Sequence, residues 1–166
     1  NIETSKKGQY RIKDNFLAFW FRFVYPMRSF IESDHPEIAM TKLKTGFIPN
    51  HVGYVYEDIC RQKMWELNAQ GKLPFLFDRV GRWWGGKETE IDIVAIDTTD
   101  RSKIIFGECK FHQNVPMQLS ELHQLKEKAA VVPWGNANRD EYFALFCISG
   151  YSEDLQQLAQ EDSHLL

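Results

Sequence analysis

Asp92, Glu108 and Lys110 are the residues of this chain whose types and spacing suggest chemistry. Asp92 lies in Glu90-Ile91-Asp92-Ile93-Val94-Ala95, and the other two lie in Ile104-Ile105-Phe106-Gly107-Glu108-Cys109-Lys110. Both segments read as strands, where side chains alternate between faces. Asp92 should therefore share a face with Glu90 and Val94, while Ile91, Ile93 and Ala95 point the other way. Likewise Glu108 and Lys110 share one face and Cys109 takes the other. An acid inside an apolar strand is costly unless it has a partner. If the two strands form a hairpin, Asp92 and Glu108 come side by side, and the two carboxylates repel unless a proton or a cation sits between them. Hard oxygen donors select magnesium or manganese. Lys110 beside such an ion would orient a water or offset charge building on a phosphate. Gly107 leaves room for close approach by substrate or another backbone. The plainer alternative makes the acids strand-end salt-bridge partners, with Lys110 simply paired to Glu108.

The elements that must position these residues follow in a clear order. Asp14 predicts a helix N-cap before Phe16, Leu17, Phe19, Trp20, Phe23 and Val24. That run is apolar nearly all round, which predicts burial between other elements, and Pro26 ends or kinks it. Ser29 to Gly46 reads as short helices and a hinge. A second helix is expected from about His51 to about Gln70, closed by Gly71. Strands are expected over Phe75 to Trp83, Thr89 to Ile96 and Lys103 to Lys110. Pro116 precedes a helix running to about Ala130, with Leu119, Leu122, Leu125 and Ala129 at helical spacing. Tyr142 to Ile148 reads as a buried strand, and Ser152 caps a last helix. Hairpin-linked strands followed by a helical crossover imply an α/β fold, a mixed sheet with helices on its faces. Residues 1–45 read as an N-terminal helical extension and 46–166 as the domain that carries the site.

Composition bounds the function. The chain has 166 residues, 43% hydrophobic and 26% charged, which is ordinary for a globular protein and excludes disorder. The net charge of -3 advertises no global affinity for nucleic acid. The charge is uneven, however, with Lys6, Lys7, Arg11, Lys13, Arg22 and Arg28 near the start and an acidic stretch after Pro133, which points to local partners. Three cysteines, Cys60, Cys109 and Cys147, make neither a disulfide framework nor a zinc motif, which predicts a reducing cytoplasm. The Phe16 to Tyr25 stretch is interrupted by Arg22 and too short to cross a bilayer, so no membrane role is expected. The chain opens at Asn1 without Met, which predicts a piece of something longer.

Asp92 followed by Glu108-Cys109-Lys110 resembles the D…ExK signature of the PD-(D/E)XK phosphodiesterase superfamily, which includes restriction endonucleases and archaeal Holliday-junction resolvases. The superfamily's core order of helix, three strands, helix and strand matches the reading above over roughly two thirds of the chain. The resemblance implies a restriction-endonuclease-like fold and magnesium- or manganese-dependent hydrolysis of DNA. Asp92, Glu108 and the Cys109 carbonyl would hold the ion, and Lys110 would assist the attacking water. The first helix often supplies another acid there, and Glu57 stands in the matching place, as a metal ligand or tuner, with Asp58 the alternative if the helix is rotated. Ile91 stands where the signature has proline.

The segment from Gly8 to Pro26 resembles the stretch after the winged helix in archaeal-type AAA/STAND ATPases. Those proteins end in a nuclease-like domain of unknown function that nearly the whole chain fits. This implies an ATPase and a winged helix upstream as partners, and a second function class, a non-cleaving regulatory module that binds DNA or protein. No GxxxxGK[ST] loop is present for ATP hydrolysis. Burial of the aromatic N-terminal run in a second copy of the chain is a further expectation. For DNA contact, Trp83-Trp84 with Arg82 and Lys87 would stack on an unpaired base and hold its backbone, or else pack internally. Lys128, on a helix with His123 and Lys126, would touch phosphates or lie on a solvated face, and His112 reads as a surface imidazole.

Overall fold

The computed structural model describes residues 11–85, 89–135 and 138–166. It divides into two compact units, one ending at Val52 and the other spanning Gly53–Leu166.

The first unit is helical. Asp14 accepts a hydrogen bond from the Leu17 N–H at 2.8 Å and so caps α1 (Asn15–Phe19), as its position before the apolar run predicts. The chain then widens through a π turn (Trp20–Val24), narrows through a 3-10 turn containing Pro26, and continues into α2 (Arg28–Glu32) and α3 (Pro36–Phe47). Phe19 and Phe23 pack edge-on against Phe47 and His51. The aromatic run is not buried throughout, contrary to its composition. Phe16, Leu17, Trp20, Phe21 and Tyr25 are exposed, since the run is apolar nearly all round and only the side carrying Phe19 and Phe23 meets Phe47 and His51.

The second unit is a mixed α/β layer structure. It begins with α4 (Gly53–Ala69), whose buried residues Cys60, Met64 and Asn68 recur every four positions and so form one stripe. Gly71, at φ 64°, ends it in the left-handed conformation glycine adopts freely. The strands are β1 (Arg79–Gly85), β2 (Thr89–Ile96), β3 (Lys103–Lys110) and β4 (Asp140–Cys147), with α5 (Leu119–Ala130) before β4 and α6 (Glu153–Glu161) after it. They form one sheet in the order β1-β2-β3-β4, antiparallel except for the last pair, which is parallel. The helical crossover through α5 produces that parallel pairing.

Two apolar layers sandwich the sheet. On one face, Leu122, Leu125 and Ala129 of α5 and Leu155 of α6 pack with Ile91, Ile96, Ile104, Phe106, Phe143 and Leu145. On the other, Cys60 and Met64 of α4 pack with Phe77, Ile93, Ala95, Ile105, Cys109 and Ala144.

Several boundaries differ from the sequence expectation for identifiable reasons. The first strand begins at Arg79 rather than Phe75, because buried Asn68 holds both backbone groups of Phe77 at 3.0 Å and takes that segment out of the sheet. The helix expected after Pro116 starts at Leu119. Met117 makes a parallel bridge to Tyr151, and Gln118 with Glu121 forms the capping box that opens α5. Ser152 is the N-cap residue of α6 as expected, although its hydroxyl turns to Asp154.

Candidate functional site

The strongest departure from the expected pattern lies at Asp92. Arg79, Val80 and Gly81 pair with Ile96, Ala95 and Val94, whereas Trp83, Trp84 and Gly85 pair with Ile91, Glu90 and Thr89. Arg82 alone therefore stands opposite both Asp92 and Ile93, which is a β-bulge. The bulge breaks the alternation. Ile91 belongs to the layer under α5 and α6, but Ile93 and Ala95 belong to the layer under α4, and Val94 packs on the opposite side from them. The expected grouping of Ile91 with Ile93, and of Asp92 with Val94, is corrected accordingly.

The same irregularity parts β2 from β3, whose pairing runs from Ile96↔Ile104 only as far as Ile93↔Gly107. Beyond that point the Asp92 carboxylate enters the gap, and its Oδ2 accepts the Cys109 N–H at 2.9 Å. The Asp92 carbonyl, freed by the bulge, accepts from Arg61 of α4 at 3.2 Å. Gly107 is the glycine this join needs. A Cβ there would come 2.9 Å from the Cβ of Ile93 and 3.2 Å from the Ala144 carbonyl. The close approach foreseen at Gly107 is thus made by the neighbouring strands.

Glu108 and Lys110 share the face toward α5, as alternation predicts. Glu108 is 5% exposed, and both of its oxygens are held by lysines. Lys110 Nζ donates to Oε1 at 2.6 Å, and Lys128 Nζ, from the last turn of α5, donates to Oε2 at 3.0 Å. Asp92 is drawn into the same electrostatic group. Burial first, and then the charge of Glu108, raise its pKa above the ordinary aspartate value, against the lowering pull of the Cys109 N–H, Lys110 and Arg82. Burial pulls the Lys110 ammonium down, but the Glu108 hydrogen bond and the charges of Glu108 and Asp92 outweigh it, leaving the pKa above the ordinary lysine value.

Cys109 turns its side chain to the α4 layer, where its thiol hydrogen bonds with Cys60. That bond, together with burial, raises the Cys109 thiol pKa, so it stays protonated. What Cys109 presents to the site is backbone.

Glu57 is half a cluster away. Arg82 and Arg61 both pair with it, Arg61 also pairs with Asp58, and Arg82 reaches Glu90 at 2.8 Å. The Arg82 guanidinium lies 5.0 Å from the centre of the Tyr54 ring and 5.9 Å from that of Trp84. Arg82 was expected at a nucleic-acid surface. Instead its side chain is 13% exposed and closed in by acids and rings, because the bulge turns it toward α4. Trp84 is 54% exposed and donates to Glu90, whereas Trp83 packs on the core. Lys87 lies outside the described residues.

The structure therefore brings together Asp92, Glu108, Lys110 and Lys128, and holds Glu57 apart in an arginine cluster. Among the described residues no group of three or more His, Cys, Asp and Glu side chains is arranged to hold a metal ion. The sequence reading missed Arg61, although its i+3 and i+4 spacing from Asp58 and Glu57 was a legible ion-pair signal. No described helix is long and apolar enough to cross a membrane.

Comparison with known proteins adds a family. Residues 20–129 match the family model DUF234, described as archaea bacterial proteins of unknown function. An uncharacterized protein of Methanocaldococcus jannaschii is 36% identical over 142 residues, covering 85% of this chain. The chain spans 31% of that relative's length. No solved structure matches.

Proposed function

The chain belongs to that family of archaeal and bacterial proteins, and we propose that it carries a metal-dependent phosphodiesterase site acting on DNA, on a restriction-endonuclease-like fold of the PD-(D/E)XK type. The observation that carries this reading is the pair of carboxylates at the parted ends of β2 and β3. Asp92 and Glu108 sit close enough for one charge to raise the pKa of the other, and a lysine stands on Glu108.

The donor set suits magnesium or manganese. Zinc in a structural site takes four protein ligands, whereas magnesium keeps several waters and needs one or two carboxylates plus substrate phosphate. Two acids, with the Cys109 carbonyl as a third oxygen, meet that demand. Such an ion would supply Lewis-acid polarisation of the phosphate. Asp92 and Glu108 would hold it, and Lys110 would position the attacking water and balance charge on the phosphate. Glu57, closed by two arginines, acts on Asp92 through Arg61 rather than as a ligand.

A second reading keeps the fold without cleavage, as a DNA- or protein-binding regulatory module of an ATPase. It is favoured by the lysines that already occupy both oxygens of Glu108. The chain covers about a third of its relative, so the ATPase and winged-helix partners belong to this proposal too. Nicking of supercoiled DNA in manganese separates the two. The enzyme reading expects Glu108→Ala and Lys110→Ala each to lower cleavage by on the order of 100-fold or more while DNA affinity persists. A wild-type chain that binds DNA but cuts no form of it makes the regulatory reading the correct one.

A further inference from the structure

Lys128 satisfies one oxygen of the buried Glu108 from a partly exposed position. Its side chain is 30% exposed, on the last turn of α5, and reaches across to a carboxylate on a strand. With Lys110 it puts two positive charges on one buried acid. Counting Asp92, this core of two acids and two lysines is balanced in charge. A divalent ion entering it would upset that balance unless a lysine leaves Glu108 and negative charge arrives. A phosphate group brings that charge, and a displaced ammonium is a natural partner for it. Lys110 is the poorer candidate to leave, since it projects from the same strand face as Glu108 and makes the shorter contact. Lysine also suits an exchange, being a compact charge on a flexible stem without the fixed fork of arginine.

We propose that Lys128 holds Glu108 Oε2 in place of the metal and passes to a substrate phosphate when the metal binds, so that metal and phosphate bind this site cooperatively. The inference rests on the phosphodiesterase reading above and adds a residue and a coupling to it. The coupling is reciprocal by thermodynamic necessity: a phosphate that draws Lys128 away raises metal affinity, and the metal raises phosphate affinity by the same factor.

Calorimetric titration of the full chain with Mn2+, with and without a short DNA duplex, tests it. Without DNA, Lys128→Met removes the competing cation and should bind Mn2+ on the order of tenfold more tightly than wild type, the worth of one charge-assisted hydrogen bond. Lys126→Met removes a charge from the same helix at a residue that faces Asp162 at 3.9 Å, and should leave Mn2+ affinity unchanged. Lys128→Arg keeps the clamp and should bind Mn2+ no better than wild type. DNA should raise the Mn2+ affinity of wild type and do so far less in Lys128→Met. Equal Mn2+ affinity in wild type and Lys128→Met overturns the exchange alone, as does an equal gain from DNA in both. Absence of Mn2+ binding in every variant removes the metal site itself, and the proposed function with it.

Discussion

Two charge clusters flank Asp92, and they neutralise their acids by different means. On the α4 side, Glu57, Asp58 and Glu90 are met by the arginines Arg61 and Arg82, and Arg82 is stacked between Tyr54 and Trp84. On the α5 side, Glu108 is met by Lys110 and Lys128. An arginine fork between two carboxylates and two rings is fixed in geometry by every one of its neighbours. A lysine on a partly exposed stem is fixed by one. The first cluster reads as scaffold, holding the bulge shut and Asp92 at a set angle. The second is the part with exchangeable contacts, and it is where the proposed chemistry falls. Each cluster has two cations, and the choice between arginine and lysine tells their roles apart.

The largest expected effect breaks the scaffold side. Arg82→Ala leaves Glu57 and Glu90 without the cation they share, where β2 has parted from β3, and should cost about 3 kcal/mol of stability, the usual order for stripping one partner from a buried ion pair. Urea unfolding measures it. The corresponding Lys128→Met change should cost less, about 1 kcal/mol, since its ammonium is 30% exposed and Lys110 still holds the other oxygen of Glu108. Equal losses in the two would erase the distinction between the clusters. A smaller effect sharpens it. Arg82→Lys keeps the charge but cannot bridge Glu57 and Glu90 while stacking on Tyr54, and should cost about 1 kcal/mol. A fully tolerated Arg82→Lys would show that charge alone matters there.

Much of this was legible in the sequence because periodicity and turn residues act locally. The order of elements from α4 onward, the mixed sheet, and the shared face of Glu108 and Lys110 follow from spacing alone. The bulge at Asp92 was not legible. It depends on what lies across the strand, and Arg82 opposite two residues is a property of the pair. The same holds for Arg82 itself, which reads as surface until α4 and its Glu57 are packed over it. Lys128 was visible as a cation on a helix, but its contact with Glu108 joins residues twenty positions apart through the crossover. Asn68 clamping Phe77 is a further case, a buried amide that overrides a run of strand-forming residues. The aromatics of the first unit divide, with Phe19 and Phe23 packed on Phe47 and His51 and Phe16, Trp20 and Phe21 exposed, a division composition alone does not show.

The smallest expected effect concerns Asp92, which lies between the clusters and feels both. Its folded pKa is raised from 3.8 by burial and by the charge of Glu108. The native chain therefore holds this proton after the unfolded chain has released it. In that window the native state binds more protons, so stability falls as pH rises from the ordinary aspartate value through the raised one, and stays lower above it. Asp92→Asn keeps an oxygen that can accept the Cys109 N–H but carries no charge. Without added metal, the variant should match wild type at acid pH, where both side chains are neutral, and be the more stable of the two at neutral pH. Urea midpoints across that range read the difference directly. Magnesium should then reverse the order, because a cation beside Glu108 favours the charged form of Asp92 and stabilises only the chain that has one. A variant that loses stability at neutral pH, with or without magnesium, would mean that the arginine side already compensates Asp92 in full. The lysine side would then have no unmet charge to offer a metal.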